Sequence, residues 1–241
     1  MEVIQVADPE EAGRCAADLI DDFEPRVLGV ATGATPQLLY RQLVTRRCLT
    51  RSTILCLLDE YIGLPADHRQ RYRHAIEEQL GDPLGLEVIA PDVDATDVQV
   101  ACDDYEARVD AMGGVDVQIL GIGRNGHIAF NEPGTCFDRF THVAELSAAT
   151  RADNARFFNS ATEVPRYAIT QGIGTIRRAK RIVVIATGDS KARAVAAMLD
   201  GPISIDLPAS ALRDHRDVVV IADAAALAMR AQRETRSCGT A

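Results

Sequence analysis

Lysine is almost missing from this chain: Lys180 and Lys191 are the only two in 241 residues, and 26 basic residues against 35 acidic ones leave a formal charge of −9. An acidic chain of this kind does not hold nucleic acid or an anionic membrane surface by general attraction. A phosphorylated ligand would need a locally basic pocket. Also lacking is any apolar run near the roughly 18 residues of a membrane-spanning helix. The first residues, MEVIQVADPEEAG, bring acids early and form neither a signal peptide nor a transit peptide, so a cytoplasmic protein is expected. The cysteines (Cys15, Cys48, Cys56, Cys102, Cys136, Cys238) stand without a CxxC pair or a Cys/His cluster at zinc spacing. Reduced thiols and no metal site follow.

What is present is ordinary for a globular domain, with 47% hydrophobic and 25% charged residues. No linker or repeat divides residues 1–241, so one domain is expected, with 236–241 as a frayed tail. Residues 9–23 place Ala12, Cys15, Ala16, Leu19, Ile20 and Phe23 on one helical face. Short apolar runs read as buried strands: RVLGVA, TILCLL, VDVQIL, RIVVIAT and DVVVIAD. Amphipathic helices are expected at 69–80 and 95–112, after Pro36 and after GDSK, with a last one over AALAMRAQRE. THVAEL and YAIT read as further strands, GDPLGL as a connection, and 150–160 as ambiguous polar chain. Apolar strands alternating with helices predict an α/β fold: an open, mostly parallel, Rossmann-like sheet with helices on both faces.

Three features carry chemistry. The ATGATP loop joins a strand to a helix, and free amides at such a helix start favour an anion. No Gly-Lys-Ser/Thr follows, so it is not a Walker A loop for a nucleoside triphosphate. Asp59 and Glu60 end the TILCLL strand, where open parallel sheets place ligand sites. Finally, GIGRNGHIAFNEPG presents His127 between glycines, with Asn125, Asn131 and Glu132 nearby, an oriented imidazole suited to acid/base work. GIGRNG matches G-x-G-x-x-G, but Pro133 would break the helix a dinucleotide fingerprint needs, so no nicotinamide or flavin cofactor is expected.

Together, LDEYIGLPADH, GIGRNGHIAFNEPGT, the ATGATP loop and TRADNARFF resemble the isomerising glucosamine-6-phosphate deaminase family, over about Val27 to Asp223. The resemblance implies conversion of glucosamine 6-phosphate and water to fructose 6-phosphate and ammonia, without a redox cofactor. It implies His127 as ring-opening acid/base, Asn125 and Glu132 as its orienting partners, and Asp59 as the base at the C2 proton. Phosphate would be held by Thr32, Gly33, Ala34, Thr35, Arg156 and Lys191, with Arg156 in a lid-like segment. The partner expected is thus a small sugar phosphate, with homo-oligomerisation left open. Departures from the family pattern are Asn125 where some members have Asp, and Arg69 and Arg71 where HPxSY is usual. His142 and Ala144 stand where allosteric members carry basic residues, so no activation by N-acetylglucosamine 6-phosphate is expected. Two rivals are a 6-phosphogluconolactonase-type hydrolase, which would share the phosphate site and His127, and a non-catalytic sugar-phosphate-binding regulator. The second usually carries a helix-turn-helix, for which this N-terminus has no room and no basic patch.

Overall fold

The computed structural model describes residues 1–230. Cys238, the tail and the end of the expected last helix lie outside them; residues 224–230 are helical. In chain order the elements are β1 (Glu2–Val6), α1 (Pro9–Phe23), β2 (Val27–Val30), α2 (Gln37–Arg46), β3 (Ile54–Leu57) and β4 (Asp59–Tyr61). Next come α3 (Tyr72–Ile76), a π-helical turn (Glu77–Gly81), α4 (Asp82–Leu84), β5 (Glu87–Ile89), α5 (Val98–Ala111) and β6 (Val117–Leu120). The rest comprises β7 (His142–Glu145), α6 (Ala148–Asn154), β8 (Tyr167–Thr170), α7 (Ile173–Ile176), β9 (Arg181–Ala186), α8 (Ala192–Asp200) and β10 (Val218–Asp223).

Seven strands form one sheet in the order β1-β10-β9-β6-β2-β3-β5, and every pair in it is parallel. Parallel strands covered on both faces must be apolar throughout, which is why their sequences read as unbroken hydrophobic runs. Successive residues then feed opposite cores. Along β9, Ile182, Val184 and Ala186 enter one core with Tyr105 and Val109 of α5 and Val195 and Met198 of α8. Val183 and Ile185 enter the other, with Ala16 and Ile20 of α1 and Leu39 and Leu43 of α2. Each such buried branched side chain stabilises the fold by about 1.5–3 kcal/mol.

A second sheet, β4-β8-β7, is antiparallel and was not anticipated from sequence. Its origin is a handover. Leu58 N–H still bonds to Val30 O (3.1 Å) in the main sheet, while Leu58 O accepts from Gln171 N (2.8 Å) beside β8. One residue later the chain has changed sheets, so Asp59 pairs with Thr170. The edge strand β1 was also missed, because an exposed edge position leaves a run of only five residues half apolar.

Two helix boundaries differ from expectation. The helix expected from 69 begins at Tyr72, because its first amides bond to Glu60, and it runs on through the π turn into α4 until Gly85 ends it at φ 66°. Of residues 150–160, those up to Phe157 are helical: Ser147 Oγ accepts from Thr150 N (3.1 Å) and starts α6, and a 3-10 turn (Ala155–Phe157) follows. A serine cap three residues upstream was the available signal.

Candidate active site

The strand order reverses direction between β2 and β6. The chain moves outward from β2 through β3 to β5, then returns to β6 and builds the other half. In open parallel sheets the crevice at such a switch, outside the carboxyl ends of the strands, is where ligands bind. A cleft of about 480 Å3 lies there, lined by segments following β2, β3, β6 and β9 and by α6.

His127 leaves the turn after β6. Gly126 sits at φ 84°, and a Cβ there would meet Leu207 at 2.2 Å. Gly123 matters more, since a Cβ on it would lie 2.3 Å from the His127 ring; the imidazole rests where only glycine leaves space. Behind the ring stands a relay. Asn125 Oδ1 accepts from His127 N (3.1 Å), and Asn125 Nδ2 donates to Glu132 Oε2 (2.8 Å). Glu132 Oε2 lies 3.9 Å from His127 Nδ1, which has no hydrogen-bond partner among the described residues. Desolvation lowers the His127 pKa, opposed by Glu132 and aided by Lys191, so the imidazole is neutral near pH 7. Asn125 and Glu132 do not line the cleft; His127 does.

The two acids after β3 have different roles. Glu60 is 2% exposed and takes backbone N–H bonds from Tyr61 (2.8 Å), Tyr72 (2.9 Å) and Arg73 (2.8 Å), which makes it the anchor of α3. Asp59 is 7% exposed and lines the cleft, and its carboxylate accepts no hydrogen bond among the described residues. Burial, with the adjacent Glu60, pushes its pKa up to about 8.

Thr32, Gly33, Ala34 and Thr35 also line the cleft and lead into α2, whose first turn has no side-chain cap. Those free amides face the cleft end with a positive dipole. Tyr40 holds the loop from below, donating to Ala31 O (2.6 Å) and accepting from Ala31 N (3.0 Å). Lys191 comes from the 3-10 turn (Asp189–Lys191) before α8, and Arg156 from the turn after α6; both line the cleft. Desolvation lowers the Lys191 pKa; Asp153 opposes this, while Arg124 and Arg156 add to it. All the residues expected to bind phosphate therefore share one cleft with Asp59 and His127. Among the described residues, no three His, Cys, Asp or Glu side chains gather as a metal site.

Sequence reasoning missed several neighbours. Thr150 donates to Glu132 Oε1, and Asp153 pairs with Arg124. Both lie on α6, in a stretch too polar to show helical periodicity. Of the two unusual arginines, Arg69 lines the cleft rim. Arg71 instead is 8% exposed and clamps two loops, through Asp94 (2.7 Å to each oxygen), Leu64 O (2.5 Å) and Pro65 O (2.9 Å). His142 is buried with Nδ1 against Phe140 O (2.9 Å), and burial lowers its pKa, so it offers no surface cation.

A family model described as glucosamine-6-phosphate isomerases/6-phosphogluconolactonase matches residues 9–221. The chain is 44% identical to a glucosamine-6-phosphate deaminase of Pseudarthrobacter chlorophenolicus, covering 94% of this chain and 91% of that one. It is 44% identical to the one from Enterococcus faecalis, with coverage of 94% and 98%. Among solved structures, a monomeric glucosamine-6-phosphate deaminase superposes with TM-score 0.91 at 41% identity, covering 95% of this chain and all (100%) of the other. A 6-phosphogluconolactonase from Trypanosoma cruzi, at TM-score 0.73 and 21% identity over 93% and 95% of the two chains, shares the fold.

Proposed function

The chain belongs to the glucosamine-6-phosphate isomerase/6-phosphogluconolactonase family, and we propose that it is an isomerising deaminase converting glucosamine 6-phosphate and water to fructose 6-phosphate and ammonia. The observation that carries this reading is the joining, in one cleft, of an unbonded buried carboxyl, a neutral imidazole and a cationic end. A lactone hydrolase has no need for a base at a sugar C–H bond.

The substrate phosphate sits at the start of α2, held by the Thr32–Thr35 segment, Arg156 and Lys191. Its charge offsets the desolvation that lowers the Lys191 pKa. His127, neutral and backed by Glu132, moves a proton between the anomeric hydroxyl and the ring oxygen, opening the pyranose to the aldehyde. The Asp59 carboxylate then takes the C2 proton. Electrons from that C–H bond form the C1–C2 double bond as the C1=O π pair moves to O1, which takes a proton to give an enolamine; the proton held by Asp59 is then returned to C1 while the nitrogen lone pair forms C2=N. Loss of the C2 hydrogen and gain at C1 leave an imine at C2, which water hydrolyses to the ketone with release of ammonia. A carboxyl whose pKa lies near 8 is a stronger base than an ordinary aspartate when ionised.

Purified protein given glucosamine 6-phosphate should release ammonium and fructose 6-phosphate in equal amounts, and should hydrolyse 6-phosphogluconolactone far more slowly. Lactone hydrolysis without ammonium release would replace this reading with the hydrolase one. Binding of both sugars with no turnover would point to the regulator.

A further inference from the structure

The Glu132 carboxylate is held at both oxygens. Asn125 Nδ2 holds Oε2 from the turn that carries His127. Oε1 is held by the hydroxyl of Thr150, a residue 5% exposed in the first turn of α6. Hydrogen counting fixes the direction of the chain. The ionised Glu132 carboxylate can only accept, so Thr150 gives it its single proton, and Ser147 Oγ, which accepts from Thr150 N (3.1 Å), gives its own to Thr150 Oγ1 (3.0 Å). Each donor in such a chain polarises the next, and a carboxylate receiving it is favoured in its ionised form. In agreement, Glu132 is held below its ordinary pKa: burial would raise it, but Thr150 and then Asn125 outweigh that.

We propose that Thr150 is a positioning residue for the reaction, one that aims Glu132 at His127 and keeps it charged. The inference rests on the reading of His127 and Glu132 as an acid/base pair. Its consequence is a mechanical link. Helix α6 grips the catalytic turn twice, at Thr150–Glu132 and Asp153–Arg124, and leads directly into Arg156. A phosphate drawn to Arg156 therefore pulls on the helix that orients Glu132. The charged groups facing the pair are Lys191 from the turn before α8 and Asp153 from α6.

The test compares Thr150→Val, which keeps shape and loses the hydroxyl, with Thr150→Ser, which keeps the hydroxyl, beside Glu132→Gln. Thr150→Val should lower kcat about tenfold, with KM changed by less than about threefold, in line with loss of one hydrogen bond to a charged group. Thr150→Ser should restore kcat. A wild-type kcat in Thr150→Val, with Glu132→Gln inactive, would overturn the role of Thr150. If Glu132→Gln itself keeps full activity, the acid/base reading fails instead. Titration of the Glu132 carboxyl by carbon NMR in wild type and Thr150→Val then decides the inference without activity: a raised pKa supports it and an unchanged one overturns it.

Discussion

At the amino end of the parallel sheet, Asp116 accepts from Arg26 N (2.8 Å), Val27 N (2.9 Å) and Lys180 Nζ (2.5 Å). At the carboxyl end Asp59, buried to a similar degree, accepts from nothing among the described residues, and Lys191 has no acceptor either. The same two residue types are thus used twice. Burial would raise the Asp116 pKa, but the Lys180 and backbone bonds outweigh it and bring it below the ordinary 3.8, whereas burial sends Asp59 up to about 8. One end has spent its polar groups on stability, and the other keeps them free for a ligand. Unsatisfied groups of this kind collect at functional sites because only a substrate completes them.

The sharpest way to break this contrast is to neutralise Asp59. Asp59→Asn should lower kcat/KM by about 10²–10⁴-fold, the range of a general base. It should nevertheless fold well. In the folded wild type the carboxyl keeps its proton up to about pH 8, while in the unfolded chain it releases it near 3.8. Wild type therefore loses stability relative to Asp59→Asn as pH rises between those values, and the gap is constant above them; melting curves across pH 4–9 check this. For the same reason the wild-type kcat/KM should climb toward about pH 8 as the free base ionises.

Gly123→Ala comes next. Its Cβ would meet the His127 ring at 2.3 Å, and an imidazole displaced by an ångström costs on the order of 100-fold in kcat. A structure of the variant should show the ring moved. Lys191→Ala should raise KM for phosphorylated sugars about 10–100-fold, the worth of one charged hydrogen bond, without lowering the melting temperature. The smallest effect on activity belongs to the other end. Asp116→Ala should leave kcat and KM unchanged while costing about 1–3 kcal/mol of stability, since two backbone amides lose their acceptor. Its loss should grow smaller toward acid, because a carboxyl with a depressed pKa contributes only while ionised.

The main sheet was legible because fully buried parallel strands have no choice but to be apolar, and the turns between them carry Gly, Pro and hydroxyl residues. The switch point was not legible, because strand order depends on which strands pair across long crossovers. That Asp59, His127 and Lys191 share one crevice follows from that order alone. By residue type and position Glu60 and Asp59 look alike, and only the family resemblance singles out Asp59. Their separation comes from the chain changing sheets at Leu58, which turns Glu60 toward the amides of α3 and leaves Asp59 facing the cleft. Thr150 escaped notice because a threonine in a polar stretch carries no pattern, and its meaning appears only when α6 is folded against the turn after β6.

The central claim is that the free carboxyl at the carboxyl end, and not its satisfied counterpart, removes the C2 hydrogen. Loss of that hydrogen from glucosamine 6-phosphate in heavy water, followed by proton NMR, tests it directly in Asp59→Asn and Asp116→Asn. The account predicts that Asp59→Asn still binds substrate but loses the hydrogen at least about 100-fold more slowly than wild type, while Asp116→Asn keeps the wild-type rate. A wild-type rate in Asp59→Asn would contradict it.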